Sequence, residues 1–181
     1  PIEVLPDGQV LAGYYANGTT YRYNPTTNTW ATTAGGKVRG DASDEETWVK
    51  LPDNSILSYD VFSSITTGVF HAQRYVPATD TWVDASNVNP LNSPSILSRP
   101  SEGYELGPAF LYNDLNHVIY FGTTGDTAIY DIAADTWSAG PKEPTKVIGG
   151  VPTPLVATDD PGAMLPNGKI LITLSPLGDS S

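Results

Sequence analysis

The sequence predicts an all-β chain assembled from repeated four-stranded units, and three observations carry that prediction. The first is an eight-residue stretch that occurs three times, from Tyr23 to Trp30, from Tyr75 to Trp82 and from Tyr130 to Trp137. In each copy an aromatic residue is followed by Pro or Ala, then Asn or Asp, then Thr-Trp. This is the pattern of a tight hairpin between half-buried strands. The second observation is the turn Leu5-Pro6-Asp7-Gly8, which leads into the apolar run Val10-Leu11-Ala12. It returns as Leu51-Pro52-Asp53-Asn54, as Leu165-Pro166-Asn167-Gly168, and in a looser form from Leu111 to Asn116. The third is that helical periodicity of useful length is absent.

Pairing the two kinds of hairpin gives the strand order of each unit. The first unit covers about residues 2–33, with strands near Ile2 to Leu5, Gln9 to Tyr15, Thr19 to Tyr23 and Trp30 to Thr32. The second covers about residues 46–85 and the third about residues 107–139. A partial fourth unit spans about residues 163–175 and holds two strands. Polar connections bearing Gly and Pro lie between them, for example Asn87 to Arg99 and Gly140 to Pro154. A repeat of about fifty residues with four strands is the signature of a β-propeller, whose blades bury their faces against one another.

Composition narrows the partners. The chain has 181 residues, 39% of them hydrophobic, enough to bury a sizeable core. A formal net charge of -11 disfavours nucleic-acid backbones, which are bound by neutralising phosphates with Lys and Arg. The same charge disfavours anionic membrane surfaces, and no run reaches the length of a membrane helix. The absence of cysteine removes disulfides, thiolate nucleophiles and Cys-bound metals. Abundant Thr, Tyr, Asn, Gly and Pro with little Lys leans toward an extracellular or cell-surface setting.

On the Tyr-to-Trp hairpins and the Leu-Pro-Asp turns, the chain resembles kelch-repeat propellers, in particular the bacterial kelch type related in fold to the propeller of galactose oxidase. The resemblance covers nearly all of the chain outside the connections and implies a kelch-type propeller segment of three blades plus a partial fourth. The paired glycines of kelch second strands are replaced here by Ala12-Gly13, Ser58-Tyr59 and Phe121-Gly122. The cross-linked cysteine of galactose oxidase has no counterpart, so radical copper chemistry is not expected. Propellers have four blades or more, so the expectation is that the chain is a fragment of a longer protein or that another chain completes the ring.

Candidate site residues come from the face where strand-two-to-three loops and blade-to-blade connections emerge. Aligning units on the turn Leu places Arg39 and Arg99 in one register, twelve residues before Leu51 and Leu111. The same alignment matches Glu45, Glu105 and Asp159, six residues before Leu51, Leu111 and Leu165. These acids, with Glu46, Glu102 and Asp160 beside them, are expected to ring the channel mouth and to bind a sugar or calcium, unless they are ordinary solvated loop charges. His71, with Asp60 at the end of its neighbouring strand, is a candidate ligand contact, whereas His117 reads as a surface residue. Trp48 and Tyr14 are candidate stacking platforms, with core packing the alternative for Trp48. Trp30, Trp82 and Trp137 occupy the repeated position and are expected to pack between blades. No catalytic triad or metal cluster is evident, and no cofactor is expected beyond calcium as a candidate. The expected function is a binding or scaffold module recognising a carbohydrate or a protein through the loop face. The alternative is part of an extracellular enzyme, an oxidoreductase or carbohydrate-active, with catalytic residues partly outside these 181 residues.

Overall fold

The computed structural model describes residues 1–102 and 104–177, the side chain of Glu102 excepted. Blade 1 consists of β1 (Ile2–Val4), β2 (Val10–Gly13), β3 (Thr20–Asn24) and β4 (Thr29–Thr32), hydrogen-bonded in that order. Blade 2 consists of β5 (Trp48–Lys50), β6 (Ile56–Tyr59), β7 (Ala72–Val76) and β8 (Thr81–Asp84), with a helix α1 (Val61–Thr67) between β6 and β7. Blade 3 consists of β9 (Leu106–Leu111), β10 (His117–Gly122), β11 (Thr127–Asp131) and β12 (Thr136–Ala139). All pairings within the blades are antiparallel. The chain is therefore an all-β, propeller-type segment.

Turn chemistry fixes the hairpins. Asn28, Asp80 and Asp135 take φ of 55°, 57° and 52°, a left-handed conformation that Asn and Asp tolerate best among residues with a side chain. Their side chains accept from the hydroxyls of Tyr23, Tyr75 and Tyr130, so each turn is tied to its own aromatic anchor. In the looser copy of the other turn, Leu115 stands at φ 57° where Gly8 and Gly168 stand at 80° and 79°.

The first strands of successive units lie side by side: β1 packs beside β5, β5 beside β9, and β9 beside β15 (Gly162–Met164). Aromatic anchors then cross from blade to blade. The Trp82 indole N–H donates to Thr20 Oγ1 of blade 1 at 3.0 Å, and that of Trp137 donates to the Ala85 carbonyl after blade 2 at 2.7 Å. Leu5, Leu11, Ile56, Tyr75 and Trp82 form the core between blades 1 and 2. A larger core, including Leu57, Tyr59, Phe70, Leu97, Tyr120 and Trp137, joins blades 2 and 3.

Three features depart from the sequence reading. Helix α1 spans only seven residues, ends on Gly68 at φ 69°, and buries Val61 and Ser64; it is too short to show a periodicity. The connection after blade 3 is not plain loop, because β13 (Thr145–Ile148), β14 (Val151–Val156) and β17 (Ser175–Pro176) form a small sheet. Its first turn is Gly149-Gly150, both at positive φ, as two-residue hairpins require. The fourth unit holds the pair β15 and β16 (Ile170–Ile172). Finally, Trp30 is 60% exposed while Trp82 and Trp137 are 5% and 0%. It stands in the same register, opposite Tyr23, but among the described residues no blade covers its face.

Backbone closeness at the second junction gives a simple check. A Cβ on Gly122 would lie 2.6 Å from the Leu97 carbonyl oxygen and 2.9 Å from that of Asp126, both backbone atoms with little room to move. Gly122→Ala is expected to cost roughly 1–3 kcal/mol in chemical denaturation, as overpacking does; an unchanged midpoint would refute this packing.

Candidate functional site

The connection from blade 1 to blade 2 carries Lys37, Arg39, Asp41, Ser43, Glu45 and Glu46 within ten residues, and it lays four of their side chains into the junction. The Lys37 ammonium is fully buried, in contact with Glu46, 3.3 Å from Asp60 Oδ1 and 3.9 Å from Asp41 Oδ2. Further donors hold each acid. Glu46 Oε2 accepts from the Trp48 indole at 3.1 Å and from Ser58 at 3.2 Å. Asp60 accepts from the Gln73 amide at 2.7 and 2.8 Å, and Asp41 from the Ser63 backbone and hydroxyl at 2.7 and 2.8 Å. Burial pushes Glu46 up to about 7 against the pull of Lys37, and burial also raises Asp60. Burial works against the Lys37 charge, but Glu46, Asp60 and Asp41 outweigh it and raise its pKa. The oxygens of Asp41, Glu46 and Asp60 lie within 4.8 Å of one another, close enough for a metal ion, but the ammonium fills the cation's place. This cluster is a sealed structural junction.

The equivalent junction between blades 2 and 3 has the opposite character. Sixty residues on, Lys37 becomes Leu97 and Glu46 becomes Leu106, both buried. By strand register, Asp60 becomes Gly122 and Asp84 becomes Ala139. Lys37, Glu46, Asp60 and Asp84 are thus exchanged for Leu, Leu, Gly and Ala.

Above the first junction, on the loop face, lies a cleft of about 520 Å³. Its wall is formed by the β2–β3 connection with Tyr15, by Arg39, Asp41 and Asp44, and by α1 with Phe62 and Ser63. Tyr15 is 67% exposed and meets Tyr14 edge to face at 5.2 Å. Asp41 Oδ2 forms no hydrogen bond, its ion pair with Lys37 being too long for one. Above the second junction a cleft of about 330 Å³ is lined by Ser64, Ile65, Ile96, Ser98, Arg99 and Asp126, among others.

The predicted residues do not form one site. Glu45, Glu105 and Asp159 act on one another electrostatically: burial first, then Asp159, raises both Glu45 and Glu105. Arg39 and Arg99 do not join them but stand in separate clefts. Arg39 is held by Asp84 at 2.8 Å and Asp60 at 3.3 Å. Asp60 belongs to the sealed cluster and is fully buried, so it makes no accessible pair with His71; its backbone N–H donates to the His71 carbonyl instead. Burial and Arg39 lower the His71 pKa. Trp48 is no free platform, since its indole is bonded to Glu46 and its ring packs on Trp82 at 5.4 Å. Tyr14 is 37% exposed beside Tyr15. Asp160 accepts from Thr158, Thr173 and Ser175, and the Glu102 side chain lies outside the described residues. Sequence reasoning missed Lys37, Asp41, Tyr15 and Ser98. The adjacent Tyr14-Tyr15 pair on a loop was a usable signal for Tyr15.

The chain matches no family model and no curated protein. Its fold has counterparts among solved structures. It aligns with a gluconolactonase-like protein at TM-score 0.53 and 14% identity, over 96% of this chain and 62% of that one. It aligns with PorZ, an essential bacterial surface component of the type-IX secretion system of Porphyromonas gingivalis, at TM-score 0.56 and 11% identity, over 96% of this chain and 24% of PorZ. A third structure, YjhT, aligns at TM-score 0.43 and 11% identity over 84% and 49%, too loosely to bear on the fold. The chain thus spans less than two thirds of the proteins it resembles, and at these identities the likeness concerns the fold alone.

Proposed function

We propose that this segment is a non-catalytic binding module that recognises a carbohydrate through the loop-face cleft between blades 1 and 2, and that its blades are of the kelch type. The carrying observation is the combination in that cleft of an exposed tyrosine ring with acidic, guanidinium and hydroxyl groups: Tyr15, Asp44, Arg39, Ser63 and Thr66. A flat ring stacks on the apolar face of a sugar, and fixed polar groups read its hydroxyls. Rigid blades hold those loops, which is how propeller-type scaffolds present binding surfaces. Glu46, the acid of the first junction that burial raises to about 7, is held by Lys37, Trp48 and Ser58 and does not line the cleft, so the reading rests on the binding groups alone. Composition is consistent with an extracellular or cell-surface setting.

Titration calorimetry against a panel of neutral oligosaccharides tests this. A binder identified in the panel is expected to lose about tenfold in affinity with Tyr15→Ala, roughly 1.4 kcal/mol. The melting temperature should be unchanged, because the ring is mostly exposed. Equal affinity of wild type and Tyr15→Ala would remove the cleft from consideration.

A further inference from the structure

We propose that the cleft between blades 2 and 3 is a second binding site, specific for a hydroxylated carboxylate of the hexuronic acid class, with Arg99 as its anion receptor. The argument starts from what the repeat does with an arginine at this position. Arg39, in the same register, grips two carboxylates of the following blade, Asp84 at 2.8 Å and Asp60 at 3.3 Å. For Arg99 the following blade is blade 3, and the matching residues are Ala139 and Gly122. The position is kept cationic while its carboxylate partners are deleted. Among the described residues no carboxylate lies within ion-pair distance of Arg99. A guanidinium offers a planar pair of donors that matches a carboxylate, so an incoming acid supplies what Asp60 and Asp84 supply to Arg39.

A second, independent observation is Ser98. It is fully buried, lines this cleft, and its hydroxyl has no hydrogen-bond partner. A buried hydroxyl without a partner costs free energy, and a ligand hydroxyl in the cleft would relieve that cost. Ser95 adds a hydroxyl, and Ile65 and Ile96 give apolar walls suited to a sugar ring. The volume of about 330 Å³ is at the small end of ligand pockets, appropriate to one ring. Local charge also permits an acid in a chain of net charge -11. Among the described residues the one carboxylate lining the cleft, Asp126, is ion-paired to Lys142. Nearby Glu143 is pushed up to about 8 by burial and is largely uncharged at neutral pH.

The test uses D-galacturonate, with D-galactose as its neutral counterpart, in calorimetric titrations of the whole chain at pH 7. Galacturonate is expected to bind at least tenfold more tightly than galactose. Arg99→Gln should abolish that preference without moving the melting temperature, because Arg99 is exposed. Ser98→Ala should weaken galacturonate binding several-fold while leaving the melting temperature unchanged or higher, since no protein hydrogen bond is lost. Undetectable galacturonate binding, equal binding of the two sugars, a preference that survives Arg99→Gln, or a lowered melting temperature in Ser98→Ala would each overturn the proposal. Tyr15→Ala separates the two sites: the acid preference must persist in it. A preference lost there and kept in Arg99→Gln would assign the acid to the first cleft and refute a second site.

Discussion

Replacing Trp137 by Ala is expected to destabilise the chain by roughly 3–5 kcal/mol, the cost of emptying a large aromatic from a well-packed core. Trp137 is fully buried against Phe70, Tyr120 and Tyr130, with ring centroids 4.8, 5.5 and 5.0 Å away, and its indole N–H is bonded to blade 2. Trp82→Ala should behave similarly at the first junction, where the ring touches Trp48 and Tyr75. Trp30→Ala should change stability by less than about 1 kcal/mol, although the motif around it is the same, because its ring is mostly in water. Urea denaturation of the three variants decides the matter. Equal losses at Trp30 and Trp137 would show that the sheet face around Trp30 is packed rather than uncovered.

The other large effect is expected at Lys37. Lys37→Met leaves Glu46, Asp60 and Asp41 buried without their ammonium, and breaking such a group by removing one charge costs about 3–5 kcal/mol. The loss should depend on pH. In the wild type Glu46 titrates at about 7 when folded against 4.5 ordinarily, so the folded state holds more protons, and its contribution falls as pH rises through that window. Removing the cation raises the carboxyl pKa values further. The destabilisation of Lys37→Met is therefore largest at pH 8 and smaller at pH 5, where protonation relieves the repulsion. Thermal unfolding at the two pH values provides the check, and a loss independent of pH would sink the electrostatic account.

The blades were legible because their signals are local. Tyr23, Asn28 and Trp30 lie within one hairpin, so their spacing encodes a turn that forms the same way in every copy. The small sheet of β13, β14 and β17 was not, because its strands read as connection: Pro152 and Pro154 sit inside β14, and the outer partner, Ser175–Pro176, is two residues long. Register along the chain brought the acids Glu45, Glu105 and Asp159 to notice, but it could not separate them from Arg39 and Arg99. Where a side chain points depends on partners distant in sequence. Arg39 turns toward Asp60 and Asp84 of the next blade, and Lys37, unremarked in the sequence, takes the centre of a buried cluster. Exposure was likewise invisible from spacing alone, since Trp30 and Trp137 share a motif and differ only in what lies beyond it.

The two junctions differ in how firmly they hold. Among the described residues, blade 1 is joined through five buried apolar residues and an ionic group, whereas blades 2 and 3 share fifteen buried residues around Trp137. Cooperative units of a protein open in order of their local stability, so blade 1 is the part expected to swing away first as a unit while the rest stays closed. The first cleft straddles that seam, with Tyr15 on one side and Phe62 and Ser63 on the other. A ligand bridging that seam would act as a latch: it would favour the closed form, and its occupancy is expected to slow amide exchange throughout blade 1 without contacting most of it.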